Sequence, residues 1–275
     1  MHEIRKLSFI GGGNMAAALI GGLIRKGIAP TNLHVADPNA DTLARLSKEF
    51  RITACADNLE AVRDAEVVVI AVKPQQIRAV CQSLAPALQP RPLVISVAAG
   101  IPQAALSRWL GTGVPVVRTM PNRPALGGFG ATGLYAPPSV GAAHRALAES
   151  ILAAVSATVW VDHESQMDTV TALSGSGPAY FFLLMEALES AARERGLPGE
   201  VAHQLTLATA YGAARMARDS AEPLAVLREQ VTSKGGTTAA ALAVLEEAGL
   251  RAIVAHAVAA ADRRSAELAA EFGTG

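Results

Sequence analysis

Aromatic residues are scarce: Phe, Tyr and Trp make up 4% of 275 residues, although 51% of the chain is apolar. The interior must therefore be built from Ala, Val, Leu and Ile, whose small side chains let helices pack closely. Cysteine is nearly absent. Cys55 and Cys81 stand in no ligand-like spacing, and no disulfide framework is indicated. Net charge is missing too, since 24 Lys and Arg balance 24 Asp and Glu with no basic stripe and no acidic tail. That balance argues against nucleic acid or an anionic membrane surface as the main partner. No apolar run approaches the roughly 18 uninterrupted residues of a membrane span. The six histidines (2, 34, 144, 163, 203 and 256) form no ligand spacing such as HExxH, so no metal is expected. The opening residues run directly into an apolar strand and leave no room for a signal peptide, so a cytoplasmic protein is expected.

The first 160 or so residues alternate short β-branched runs with helical patterns. Strands are predicted at 7–10, 33–36, 66–72, 93–97, 114–120, 132–135 and 158–161, and helices at 40–50, 75–88 and 142–154. Such alternation implies βαβ units and a largely parallel sheet. Residues 67–72 are apolar without alternation, as a strand covered on both faces should be. After Asp162 the pattern changes to long alanine-rich helices with no convincing strand. The fold class expected is α/β, a doubly wound Rossmann-type sheet over 1–162 followed by an all-α dimerisation domain over 163–275. Leu250, Ile253, Val254, Ala257, Val258 and Ala261 recur at helical spacing and form an apolar stripe that a second subunit would cover. A homodimer is the expectation.

The run Gly11-Gly12-Gly13-Asn14-Met15-Ala16 reads GxGxxA between a buried strand and a helix, the context of a dinucleotide fingerprint. Gly11 permits the tight turn, Gly13 lets a pyrophosphate approach the backbone, and Ala16 lets helix and strand pack closely. The helix N-terminus then receives the anion. Asp37, 24 residues beyond Gly13, stands where an acidic residue accepts ribose hydroxyls and repels a 2′-phosphate. On that physics NADH is favoured. Asp37-Pro38-Asn39 also reads as a plain turn, and both readings stay open.

Further segments lie where loops leave the carboxyl ends of strands: Ala71-Val72-Lys73-Pro74, Ser96-Val97-Ala98-Ala99-Gly100, and Arg118-Thr119-Met120-Pro121-Asn122-Arg123-Pro124. The helical half carries Leu173-Ser174-Gly175-Ser176-Gly177-Pro178-Ala179-Tyr180 and Val231-Thr232-Ser233-Lys234-Gly235-Gly236-Thr237-Thr238. Together and in this order they resemble the pyrroline-5-carboxylate reductases, from about Leu7 to Glu267. The resemblance implies a Rossmann domain, a helical dimerisation domain and dimers often assembled into decamers. It implies reduction of Δ1-pyrroline-5-carboxylate to L-proline by hydride from NADPH or NADH. It places Gly11, Gly13, Asn14, Met15, Ala16, Asn58, Ala71, Val72, Lys73 and Pro74 against the cofactor. Ala98, Ala99, Gly100, Met120, Pro121 and Asn122 would line the nicotinamide side. Ser233, Gly235, Gly236, Thr237 and Thr238 would hold the substrate carboxylate, with Glu222 near the substrate ring. Arg123 stands where the family generally has Thr, and Lys234 where it commonly has Pro. Losing that Pro frees φ in the unfolded chain, while the Lys adds a charge.

Glycines before a helix start leave N–H groups exposed, so Gly235 and Gly236 ahead of the helix-forming run after Thr237 read as a carboxylate site. A protonated cyclic imine is already electrophilic, so alignment and exclusion of water matter more than a strong general acid. Accordingly no histidine falls in any motif, and Ser174 occupies the first-glycine position of what would otherwise be a GxSxG elbow. Thr238 is the candidate catalytic residue, bonding the substrate through its carboxylate or ring nitrogen. A β-hydroxyacid dehydrogenase shares the layout but needs a lysine acid after its glycine turn, and no lysine occurs between Lys73 and Lys234. A non-catalytic NAD(H) sensor is the other alternative.

Overall fold

The computed structural model describes residues 4–89 and 91–273; position 2, one of the six histidines, lies outside them. One sheet contains β1 (Leu7–Ile10), β2 (Leu33–Ala36), β3 (Thr53–Ala54), β4 (Val67–Ile70), β5 (Leu93–Ser96), β6 (Val116–Met120), β7 (Gly130–Tyr135) and β8 (Ser156–Trp160). Their order is β3-β2-β1-β4-β5-β6-β7-β8. The first six are parallel; β7 runs antiparallel to β6, and β8 parallel to β7. The direction of winding reverses between β1 and β4. That is the switch point outside which open α/β sheets bind ligands.

Helices α1 (Asn14–Arg25), α2 (Ala40–Phe50), α3 (Asn58–Val62), α4 (Pro74–Leu84), α5 (Gln103–Leu110), α6 (Ala142–Leu152) and α7 (Gln166–Val170) accompany the strands. β4 shows why the sheet sits between layers. Val67 and Val69 point into one apolar core with Phe9 and Leu19, while Val68 and Ile70 point into another with Ile77 and Leu106. All four are fully buried, and each such side chain contributes roughly 1.5–3 kcal/mol. Ser8, the polar residue of β1, is buried without strain because its hydroxyl donates to the Ala61 carbonyl at 2.6 Å.

From residue 166 onward every regular element is helical: α8 (Gly177–Glu194), α9 (Gly199–Asp219), α10 (Leu224–Gln230), α11 (Thr237–Glu247) and α12 (Leu250–Gly273). The chain forms two compact units, one of residues 177–259 and one of the residues up to Ser176 with α12 from Ala260 onward. Within the sheet unit, the end of α12 is fastened by Ser265 Oγ donating to Asp168 at 2.7 Å and by Arg108 donating to the Gly273 carbonyl at 2.9 Å.

The helical unit buries only Gly177 and Ala202 among its described residues. Leu250, Ile253, Val254 and Ala257 of the predicted stripe are exposed, and Val258 and Ala261 are partly covered. Phe181, Leu184 and Leu188, at helical spacing on α8, are each more than half exposed. A helix face of this apolarity needs a covering surface that its own unit does not supply.

Candidate active site

At the switch point the chain turns sharply from β1 into α1. Gly11 adopts φ +96°, and a methyl group there would lie 2.6 Å from the Ala71 carbonyl oxygen. Its N–H donates to the Ala36 carbonyl at 2.8 Å, so the turn is tied to β2 as well. Gly12 is the position that composition alone does not explain. A side chain there would meet Thr42 and Leu46 of α2 within 2.9 Å, so its glycine permits α2 to close over the turn. Gly13 faces open space and precedes α1 without any capping side chain. Asn14, Met15 and Ala16 begin that helix, and Ala16 is fully buried against the sheet. An uncapped helix start beside open space fits a pyrophosphate.

Asp37 follows β2, but its carboxylate is already engaged. Oδ2 accepts from the Gly12 N–H at 2.7 Å and Oδ1 from the Asn39 N–H at 2.8 Å. The turn reading of Asp37-Pro38-Asn39 is therefore real, and the same carboxylate also holds the glycine turn. Gly11, Asp37, Asn58 and Val72 come together along one cleft of about 580 Å³. The cleft also includes Pro38, Asp57, Gln75, Gln76 and Val80, which sequence reasoning did not select. A legible signal existed for Asp57: Asp57-Asn58-Leu59-Glu60 is a capping pattern. Asp57 Oδ1 accepts from the Glu60 N–H at 2.8 Å, and Glu60 accepts from the Ala56 N–H at 2.6 Å. Ala71 and Lys73 flank this cleft in sequence, with Lys73 exposed and Pro74 opening α4.

The other predicted cofactor residues stand at the carboxyl ends of β5 and β6, outside that cleft lining. Ala98 is buried and Ala99 exposed, while Gly100 (φ +72°) packs beneath Leu268 and Phe272 of α12. Asn122 bridges two segments: its Nδ2 donates to the Ser174 carbonyl and its Oδ1 accepts from the Ala131 N–H, both at 2.9 Å. Pro121 is buried next to it. Residues Thr171–Gly175 form a widened helical turn, and Gly175 leaves room for the Met120 methyl, which would stand 2.6 Å from a Cβ. The Met-Pro-Asn loop is thus bolted to the Ser-Gly-Ser segment.

Beneath this loop lies an ion pair that no sequence pattern announced. Arg118 of β6, 4% exposed, donates to Glu164 Oε1 at 2.9 Å, and the same oxygen accepts from the Gln103 N–H at 2.5 Å. Removing one partner strands a buried charge. Glu164→Ala leaves the buried Arg118 guanidinium without its partner and is expected to cost about 3–5 kcal/mol, seen as a lower urea midpoint. An unchanged midpoint would show that the pair is dispensable.

The predicted substrate residues lie in the helical unit. Gly235 adopts φ +70°, and a side chain at Gly236 would collide with the Ser233 hydroxyl. Both glycines therefore have a conformational reason, so their presence alone does not argue for a carboxylate. What the turn leaves is the start of α11 at Thr237 and Thr238, where Gly236 provides no capping side chain. Glu222, before α10, is exposed, as is Lys234.

Neither cysteine is poised for chemistry. Burial pushes the Cys81 thiol up to about 12, and burial followed by the Glu60 charge raises that of Cys55.

Fold and site define a nicotinamide-dinucleotide oxidoreductase: a Rossmann-type domain followed by an all-helical, self-associating domain. Residues 6–100 match the model of the NADP oxidoreductase, coenzyme F420-dependent family, and residues 164–268 match the pyrroline-5-carboxylate reductase dimerisation domain. The chain belongs to the pyrroline-5-carboxylate reductase family. The reductase of Pseudomonas aeruginosa is 52% identical over 268 residues, covering 98% of both chains. That of Haemophilus influenzae is 41% identical, covering 97% of this chain and 98% of its own. Among solved structures, the Coxiella burnetii reductase superposes with TM-score 0.94 at 43% identity, covering 97% of this chain and 99% of that one. The Plasmodium falciparum enzyme, solved with NADP bound, gives 0.84 at 31% identity over 98% of this chain and 99% of its own. Among the described residues, no helix is long and apolar enough to cross a membrane.

Proposed function

We propose that this protein reduces Δ1-pyrroline-5-carboxylate to L-proline, the last step of proline biosynthesis, with NADPH or NADH as reductant. The observation that carries the reading is the turn from Ser233 to Thr238, which ends in an uncapped helix start beside two threonines. Such a start offers N–H donors and a favourable dipole to one small carboxylate. The α1 start offers the same to the pyrophosphate, and the residues Asn14, Met15 and Ala16 are its donors. The bound nicotinamide supplies the hydride. The chain's own work is binding, orientation and exclusion of water, since a protonated imine needs no strong acid.

In this reading Thr238 donates to the substrate carboxylate or ring nitrogen, and Glu222 lies near the ring. Lys234, exposed one residue before Gly235, adds a charge attractive to the carboxylate. Thr238→Ala removes one bond to a charged group and should lower kcat/KM by about 10- to 100-fold. Unchanged kinetics would reject the role.

The direct test mixes purified protein, NADH or NADPH and pyrroline-5-carboxylate, and follows the nicotinamide absorbance. Oxidation with the pyrroline, and none with the semialdehydes that 3-hydroxyacid dehydrogenases reduce, supports the reading. No turnover supports a sensor. The lysine missing between positions 73 and 234 disfavours the hydroxyacid chemistry. The proposal extends to a cytoplasmic location, consistent with two free buried thiols, and to dimers assembled into a decamer, which mass photometry would resolve.

A further inference from the structure

The cleft beside the glycine turn carries a charge pattern that bears on which dinucleotide it accepts. Among its described lining residues are two carboxylates, Asp37 and Asp57, and no lysine or arginine. We propose that Asp37 and Asp57 exclude a 2′-phosphate from this cleft, so that NADH is the reductant the protein uses. The inference rests on the reductase reading and deepens it.

Several observations support it. Asp37 is fixed by the Gly12 and Asn39 N–H groups, so it cannot swing aside to relieve a second negative charge. The first N–H groups of α2, a common resting place for a 2′-phosphate, are already taken. Asn39 Oδ1 accepts from Asp41 and Thr42 at 2.9 and 3.2 Å. Asp41 adds a carboxylate to that same first turn. The α3 start is likewise satisfied by Asp57 itself. Arg45 of α2 is paired with Glu49 at 3.5 Å, one turn further along. The starts of α2 and α3 carry side-chain caps, while those of α1 and α4 do not. On the α2 and α3 side, where Asp37 and Asp57 stand, a second anion therefore finds fewer free N–H groups than at the α1 start.

The ribose 2′-hydroxyl of NADH suits this edge, because a carboxylate oxygen can accept a further hydrogen bond. A 2′-phosphate would stand close to two fixed charges of its own sign, a repulsion that salt screens.

Calorimetric titration of the full chain with NADH and with NADPH, without pyrroline, tests the proposal apart from catalysis. NADH should bind about tenfold tighter or more in dilute buffer, and the gap should narrow as salt rises. Asp57→Asn removes the charge while its amide oxygen can still cap Glu60, and it should raise the NADPH-to-NADH affinity ratio about three- to tenfold. Asp57→Ser, another capping residue, should do the same. NADPH binding as tightly as NADH to the native chain would overturn the proposal. So would a ratio that neither substitution moves. Loss of all dinucleotide binding by the native chain would overturn the reductase reading itself, whereas equal binding of both overturns only the discrimination.

Discussion

Replacing Gly11 with alanine should weaken dinucleotide binding by about 100-fold or more and lower stability by roughly 2–4 kcal/mol. The added methyl meets backbone: the Ala71 carbonyl oxygen at 2.6 Å and its carbon at 2.9 Å. Neither side of the turn can yield cheaply. Ala71 is held by its N–H donating to the Ile10 carbonyl, and Gly11 by its own bond to Ala36, both at 2.8 Å. The φ of +96° adds its own strain for any residue with a Cβ. Relief requires β1 and β4 to part at the place where the pyrophosphate must sit. Gly13→Ala is the informative companion. Nothing lies within 4 Å of a Cβ at that position, and its φ of −67° is ordinary. Gly13→Ala should leave the urea midpoint unchanged yet lose dinucleotide affinity, because the methyl occupies the phosphate's approach. Native affinity in either variant, read by titration calorimetry, would remove the turn from the binding site.

The second large effect concerns assembly. Phe181→Asp, Leu184→Asp and Leu188→Asp combined should convert the protein to a monomer in sedimentation and abolish turnover. These three side chains are 66%, 52% and 52% exposed on one stripe of α8. Covering the exposed half to two-thirds of each is worth about 1–2 kcal/mol, and a twofold interface counts every one twice. That sum is comparable with the stability of an ordinary domain, and among its described residues the helical unit has only Gly177 and Ala202 buried to fall back on. Loss of helical circular dichroism should therefore accompany loss of assembly. A triple variant that still sediments as the native oligomer would place the interface elsewhere.

What could be read from the sequence was what local chemistry dictates. β1 and β2 and the helix at 40–50 appear at the expected limits, because a buried apolar run or an Asn39 cap ends each sharply. β3 was missed: two exposed residues carry no periodicity, and their strand exists only through pairing with His34 and Val35. The short α3 and α5 were missed as well, although the Asp57 cap of α3 was on view. The glycine turn was legible because its residue types follow from backbone geometry. Gly12 was not, since its need for glycine comes from Thr42 and Leu46, a contact decided by how α2 docks. Arg118 and Glu164 lie 46 residues apart, and the Asn122 bridge to Ser174 spans 52. Such pairings are written in the fold rather than in any local pattern. Gly235 shows the converse: a residue that reads as part of a ligand signature also has a conformational reason, its φ of +70°.

The division of α12 sets an order of events during synthesis. The sheet unit keeps Gly100 beneath Leu268 and Phe272, and bonds Arg108 to the Gly273 carbonyl across 165 residues of chain. Those closing residues leave the ribosome only after the whole helical unit has emerged. A nascent Rossmann layer must therefore wait, its β5–α5 corner uncovered, while an apolar helical array with no internal core accumulates beside it. For roughly the time needed to add about 100 residues, on the order of 5–20 s, both halves are incomplete. Chaperone demand should peak in that interval rather than before or after it.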